Sequence, residues 1–367
     1  MTVRTNGKIK VLIVDDSSLI RMAIRGILSK DPAFEVVGSA IDGLEGVEKA
    51  IALKPDLITL DIEMPRLDGI SALKQIMEKA PTKVIIITSQ SREDARLTFE
   101  GLDAGAVDYI LKAKVDAKDA QEAFREELLR KAKETKVSHL VHPAPVTHHG
   151  VSGSAVHPAR TTPEFQHGTH SEQGGKKINF VCIGASTGGP VALQELLTRI
   201  PATFNGGIIV GIHMPRAFIG PYAERLNAKC ALTVREAVDG DVLQPGQVLI
   251  APGGMHTSVV RHGTQLVVKT QATGNFPNHV YIPSIDVLLS SMVEATNGAL
   301  LGVILTGMGN DGFKGMQLLK QRGGSTIVQD EATSTIYGMP KACVIGGVAD
   351  MVLPIEKIGA EIGKFCP

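Results

Sequence analysis

The 367 residues are 43% hydrophobic, with no Trp and 4% aromatics, enough for two cores built mostly of Val, Ile, Leu and Ala. Lys plus Arg equals Asp plus Glu at 38 each, and this zero formal charge argues against a nucleic-acid partner. No run reaches signal-peptide or membrane-spanning length and the four Cys share no close spacing, which points to a cytoplasmic chain that is not membrane-inserted, without a disulfide frame or zinc site.

Residues 8–125 alternate strand and helix signals. Strands are expected at Lys10–Val14, Phe34–Val37, Leu57–Leu60, Val84–Ile87 and Tyr109–Leu111, and Ile20, Ala23, Ile24, Ile27 and Leu28 are spaced as one helical face. Five short apolar strands with helices between them predict a parallel sheet covered on both sides. A charged helix is expected over 116–136, and the tract to 175 is rich in Pro, Gly, Ser, Thr and His. Residues 126–175 therefore read as a helical extension and linker. Seven of the eleven His fall there (His139, His142, His148, His149, His157, His167 and His170), and a polar spacer accounts for them better than a metal site, because nothing fixes their geometry.

Residues 176–367 form a second expected domain. Strands are expected at Asn179–Gly184, Gly207–His213, Ala231–Val234, Gln247–Ala251, Leu300–Leu305 and Ser325–Val328. Helices are expected at Val191–Ile200, Ala217–Ala228, Ile285–Ala295 and Lys314–Gln321. Val259–Arg261 and Gln265–Lys269 read as a hairpin. The pattern predicts a doubly wound α/β unit with a mostly parallel sheet and a small antiparallel insertion.

In such sheets, functional groups gather beyond the carboxyl ends of the strands. In the first domain Asp15, Asp16, Asp61, Thr88 and Lys112 all fall there. A carboxylate that accepts a phosphoryl group needs a divalent cation on one side and a basic side chain on the other. Asp15, Asp16 and Asp61 can share Mg²⁺, which prefers oxygen ligands, and Lys112 can bridge to phosphoryl oxygens. An adjacent acidic pair alone is more often only solvated; the five residues in order at strand ends favour the site.

The stretches VLIVDDSSLIRM, DLITLDIEMPRLDG, VIIITS and AGAVDYILK resemble the receiver domain of bacterial response regulators over about residues 9–125. The resemblance implies a flavodoxin-like fold and phosphorylation of Asp61 by a partner histidine kinase. It further implies Mg²⁺ held by Asp15, Asp16, Asp61 and the Glu63 carbonyl, with Thr88, Tyr109 and Lys112 as the switch. Ala113 stands where the family usually has Pro after the Lys.

In the second domain Ser186, His213 and Asp311 supply a nucleophile, a base and an orienting acid, each after an apolar run. Gly184-Ala-Ser-Thr-Gly188 satisfies a nucleophile pattern, and Pro190 suits a first helical turn. Taken alone, this loop equally suits a phosphate or a plain strand-to-helix turn, and Asp311 beside Asn310 and Gly312 suits ordinary turn chemistry.

The stretches IGASTGGP, HMP, FIGPYAERLN, VLIAPGGMH, PSIDVLLSS, LTGMGNDG and QDEATSTIYGMPK are similar to the catalytic domain of the chemotaxis protein-glutamate methylesterases. That similarity implies demethylation of glutamate γ-methyl esters on the cytoplasmic region of chemoreceptors, without a cofactor, and in many relatives deamidation of receptor glutamines. It implies Ser186 as nucleophile, His213 as base and acid, Asp311 as orienting acid and the Met308 N–H in the oxyanion hole. Thr257 and Pro221-Tyr222 depart from the usual segments at their positions. The alternative is a response regulator whose output domain is a non-catalytic docking module. The expected regulation is a receiver that covers the Ser186 cleft until Asp61 is phosphorylated.

Overall fold

The structure, a computed structural model, describes residues 7–112, 118–135, 178–272 and 281–366. Ala113 and the histidine tract His139–His170 lie outside these residues.

Five strands open the chain: β1 (Ile9–Val14), β2 (Phe34–Ala40), β3 (Leu57–Asp61), β4 (Lys83–Thr88) and β5 (Asp108–Leu111). Between and after them run α1 (Ser18–Leu28), α2 (Gly43–Leu53), α3 (Gly69–Lys79), α4 (Arg92–Asp103) and α5 (Lys118–Glu134). Each of the first four helices starts where a short polar residue can cap it. Ser17, Asp42, Asp68 and Ser91 accept from the N–H groups of Ile20, Glu45, Ser71 and Asp94. The strands are parallel in the order β2-β1-β3-β4-β5, so the chain reverses direction across the sheet between β1 and β3. The charged helix α5 is amphipathic enough to seat Phe124, Leu128 and Ala132 in the core of the first domain, with Ile9, Val11, Ile24 and Leu28. It therefore packs as part of the first domain.

The second sheet contains β6 (Phe180–Ala185), β7 (Gly207–Ile212), β8 (Thr233–Glu236), β9 (Gln247–Ile250), β12 (Leu301–Ile304), β13 (Ser325–Gln329) and β14 (Met351–Leu353). All of its strand pairs are parallel, in the order β14-β13-β12-β6-β7-β9-β8. The antiparallel hairpin β10 (His256–His262) and β11 (Gln265–Gln271) forms its own two-stranded sheet. The helices are α6 (Gly189–Leu197), α7 (Arg216–Asn227), α8 (Ile285–Thr296), α9 (Phe313–Gln321), α10 (Met339–Ile345) and α11 (Ile355–Phe365). Two expectations shift. The strand expected at Ala231–Val234 is β8, which starts later because its pairing with Gln247–Ile250 begins at Thr233. The short edge strand β14, of three apolar but only half-buried residues, lies outside the strands expected from the sequence.

The two units meet along α4, β5 and α5 on one side and α6, α7 and the loops of Thr187 and Met308 on the other. Phe99 of α4 packs edge-on to Phe218 (5.9 Å) and against Tyr222 (5.1 Å), both of α7. The Tyr109 ring of β5 stacks flat on Phe218 at 4.9 Å. All four rings are buried, within one apolar cluster that runs through both domains. Around them Arg92 pairs with Glu224, and Asp103 pairs with Arg225 and with Lys229.

Candidate active site

The three central strands of the second sheet each end at a member of one hydrogen-bonded chain. Ser186 follows β6, His213 follows β7 and Asp311 follows β12, and these strands are neighbours in the order β12-β6-β7. The strand order reverses between β12 and β6, which opens a crevice at that point. His213 Nδ1 lies 3.0 Å from Ser186 Oγ, and His213 Nε2 lies 2.9 Å from Asp311 Oδ2. A carboxylate on Nε2 fixes the tautomer that carries its proton there and leaves the Nδ1 lone pair facing the Ser186 hydroxyl.

The loop that carries Ser186 is held from both sides. The Ser186 N–H donates to Thr306 O, and Thr306 Oγ1 donates to Thr187 O. Gly188 caps α6 at φ 75°, a left-handed conformation that favours glycine. Gly307 lies so close that a Cβ there would stand 2.7 Å from the Ser186 Cβ. Met308 follows directly, and no hydrogen bond among the described residues uses its N–H.

Asp311 sits at the start of α8. It accepts from Ser284 Oγ (3.1 Å) and from the N–H groups of Ile285 (2.8 Å) and Asp286 (2.9 Å). Burial raises its carboxyl, but the His213 hydrogen bond and charge and these amides outweigh it, leaving the group below its ordinary value. Neither this amide cradle nor the next contact was anticipated. Tyr281 stacks on the His213 ring at 4.6 Å, with 10° between planes. A lone Tyr beside an Ile-Pro carries no periodic or spacing signal. The cap could have been read from Ser284 ahead of an apolar helix.

Groups of the first domain line a cavity of about 350 Å³ at this site. Asp108, Tyr109, Glu127, Arg130 and Lys131 face Ser186, His213 and Tyr281 across it. The Thr187 hydroxyl donates to Glu134 at 3.4 Å, and Arg130 reaches both Glu134 (2.9 Å) and the Met308 sulfur (3.5 Å). Helix α5 thus touches residues on both flanks of Ser186.

In the first domain, oxygens of Asp15, Asp16 and Asp61 lie within 4.8 Å of one another. Lys112 Nζ is 2.7 Å from Asp61 Oδ2 and 3.5 Å from Asp15 Oδ2. Asp15 Oδ2 is buried and makes no hydrogen bond, since the lysine stands too far for a good one. Burial raises Asp61 to about 6, only partly opposed by the Lys112 hydrogen bond and reinforced by the Asp15 charge. Crowded, desolvated carboxylates with an unused oxygen are a donor set suited to a hard divalent cation. Glu63 stands two residues beyond Asp61, on an exposed turn. Thr88 ends β4, its hydroxyl accepting from Thr98 at 3.2 Å. Tyr109 turns inward to the domain contact, held by Lys131, which donates to its carbonyl at 2.6 Å and covers its ring.

Residues 181–362 match the sequence family described as CheB methylesterase, and residues 11–125 match the response regulator receiver domain. The chain is 58% identical to protein-glutamate methylesterase/protein-glutamine glutaminase 1 of Geobacter sulfurreducens, over 98% of both chains. It is 59% identical to protein-glutamate methylesterase/protein-glutamine glutaminase 5 of Geobacter metallireducens, again over 98% of both. Among solved structures, the CheB methylesterase catalytic domain of Thermotoga maritima is 37% identical, with a TM-score of 0.49, covering 51% of this chain and 98% of that one.

Proposed function

The chain belongs to the CheB methylesterase family, and on that premise we propose how its residues carry out phosphorylation-regulated hydrolysis of glutamate γ-methyl esters on chemoreceptors. Ser186 attacks the ester carbonyl while His213 Nδ1 takes the hydroxyl proton, and Asp311 holds the resulting imidazolium. The Met308 N–H stabilises the oxyanion of the tetrahedral intermediate. Collapse expels methanol, which receives the proton from His213 and leaves a glutamyl ester on Ser186. Water, deprotonated by His213, then attacks that ester; glutamate is released and Ser186 recovers its proton. A receptor glutamine follows the same route with ammonia as leaving group, an activity that the names of the relatives carry.

In the receiver, Asp61 accepts the phosphoryl group from a chemotaxis histidine kinase. Asp15, Asp16, Asp61 and the Glu63 carbonyl would hold Mg²⁺, which offsets the charge that builds up on the phosphoryl oxygens. Lys112 pairs with the phosphorylated carboxylate, and Thr88 and Tyr109 shift with it. Movement of Tyr109 unsettles its stack on Phe218, and with it the receiver face that covers the Ser186 cleft. We place the first domain from residue 8 through α5 and the second at 176–367. We place the enzyme in the cytoplasm, where the receptor helices and the kinase are; no helix among the described residues is long and apolar enough to cross a membrane.

One observation carries the reading: hydroxyl, imidazole and carboxylate from three adjacent strands stand at 3.0 and 2.9 Å on one rim. Incubation with methylated receptor, with and without a small phosphodonor, tests it by mass loss at each ester. Wild type should release methanol faster with the donor, and Ser186→Ala should release none. Equal release by Ser186→Ala would overturn the reading.

A further inference from the structure

Two in-plane hydrogen bonds do not fully fix a ring. The hydrogen bonds from His213 to Ser186 and Asp311 lie in the plane of its ring, and bonds of that kind resist a tilt of the side chain out of the plane only weakly. A contact on the face of the ring opposes that tilt directly. Tyr281 supplies one, with ring centroids 4.6 Å apart and planes 10° from parallel.

The neighbours of Tyr281 tie this contact to the rest of the site. A Cβ at Gly309 would stand 3.1 Å from the Tyr281 hydroxyl oxygen, so the phenol tip abuts the turn between Met308 and Asp311. The chain after Tyr281 runs through Pro283 into Ser284, Ile285 and Asp286, the residues that cradle Asp311. One stretch of backbone therefore sets both the acid and the face of the base. An aromatic face also attracts a cation, and His213 gains a positive charge as it takes the proton of Ser186. The stack thus gains strength as the transition state forms, which is the condition for an interaction to accelerate the reaction.

We propose that Tyr281 is a positioning residue for ester hydrolysis, its ring locking the orientation of His213 and stabilising the imidazolium. This rests on the reading of His213 as the base. The ring does the work and the hydroxyl does not.

The test uses the full chain, a small phosphodonor and methylated receptor. Tyr281→Leu keeps the bulk and loses the aromatic face; kcat should fall about tenfold, with KM within about twofold. Tyr281→Phe should restore nearly the full rate. In a His213→Ala background, Tyr281→Leu should cost nothing further, because a residue that acts through His213 has nothing left to act on. An equal loss in both backgrounds, a loss confined to KM, or failure of Tyr281→Phe would each overturn the proposal.

A second measurement does not depend on turnover. The Cε1–H proton resonance of His213 should lie upfield from the ring current of Tyr281 and move downfield in Tyr281→Leu. An unmoved resonance in an active enzyme removes this inference alone. A wild type no faster than Ser186→Ala removes the proposed reaction, and the inference falls with it.

Discussion

The Asp311 carboxylate combines burial with a full set of donors, so its charge survives inside the fold. Asparagine there keeps the shape but no longer selects the tautomer that leaves Nδ1 free. Asp311→Asn should lower kcat about 10⁴-fold with little change in fold, measured by methanol release and circular dichroism. Asp61 shows the opposite balance: burial raises it from 3.8 to about 6. Between those two values the folded receiver binds more protons than the unfolded chain. Wild-type stability therefore falls as pH rises through that window and levels off above it. Asp61→Asn does not titrate. In chelator, its stability relative to wild type should grow by on the order of 3 kcal/mol between about pH 4 and pH 7. Mg²⁺ should shrink that gain, because the cation neutralises the carboxylates as the proton does. Denaturant unfolding at three pH values reads it, and a pH-independent difference would contradict the burial of a charged Asp61. At this scale the acids, Ser186 and His213 were legible because each ends a short apolar run. Tyr281 was not, because its role is a contact across space.

Helix α4 lies against α7 through apolar rings flanked by charge. Phe99, Phe218 and Tyr222 exclude water from the centre, and Asp103 faces both Arg225 and Lys229 at the margin. Exposed pairs of this kind are worth at most about 1 kcal/mol each. Asp103→Lys turns attraction into repulsion without touching either core. Demethylation by the unphosphorylated enzyme should rise a few-fold, and the rate with phosphodonor should stay near wild type; an unchanged basal rate would mean that this contact does not hold the receiver down. Helix α8 does a different task. Its Ser284 cap also donates to Asp311, so Ser284→Ala should cost about 1 kcal/mol of stability and lower kcat as well. Thermal unfolding together with turnover would show whether the two losses occur together. The helices and their caps were largely readable from apolar spacing and from Ser or Asp ahead of each run. Which helix faces which was not, since α4 and α7 are each amphipathic and either could have met solvent or a neighbour.

The whole molecule places two sites of unrelated chemistry at the carboxyl edges of two parallel sheets and joins them through β5. Tyr109 lies between: it stacks on Phe218 in α7, the helix that begins just after His213-Met214-Pro215. A chain without residues 1–175 should demethylate receptor faster than the unphosphorylated full chain, and equal rates would remove the receiver as a cover. That truncation also bares Phe218 and Tyr222, so the shortened enzyme should bind a hydrophobic dye more strongly. The residues alone determined the two α/β units and the strand-end positions of both clusters. Alternating apolar runs specify strands and helices locally, and parallel sheets gather their working groups at one edge. Only the tertiary structure decided that β12, β6 and β7 are neighbours, that Tyr281 covers His213, and that the receiver docks over the cleft. Those are contacts between segments far apart in the chain, fixed by packing of whole surfaces, and no local pattern of residues encodes which surface meets which.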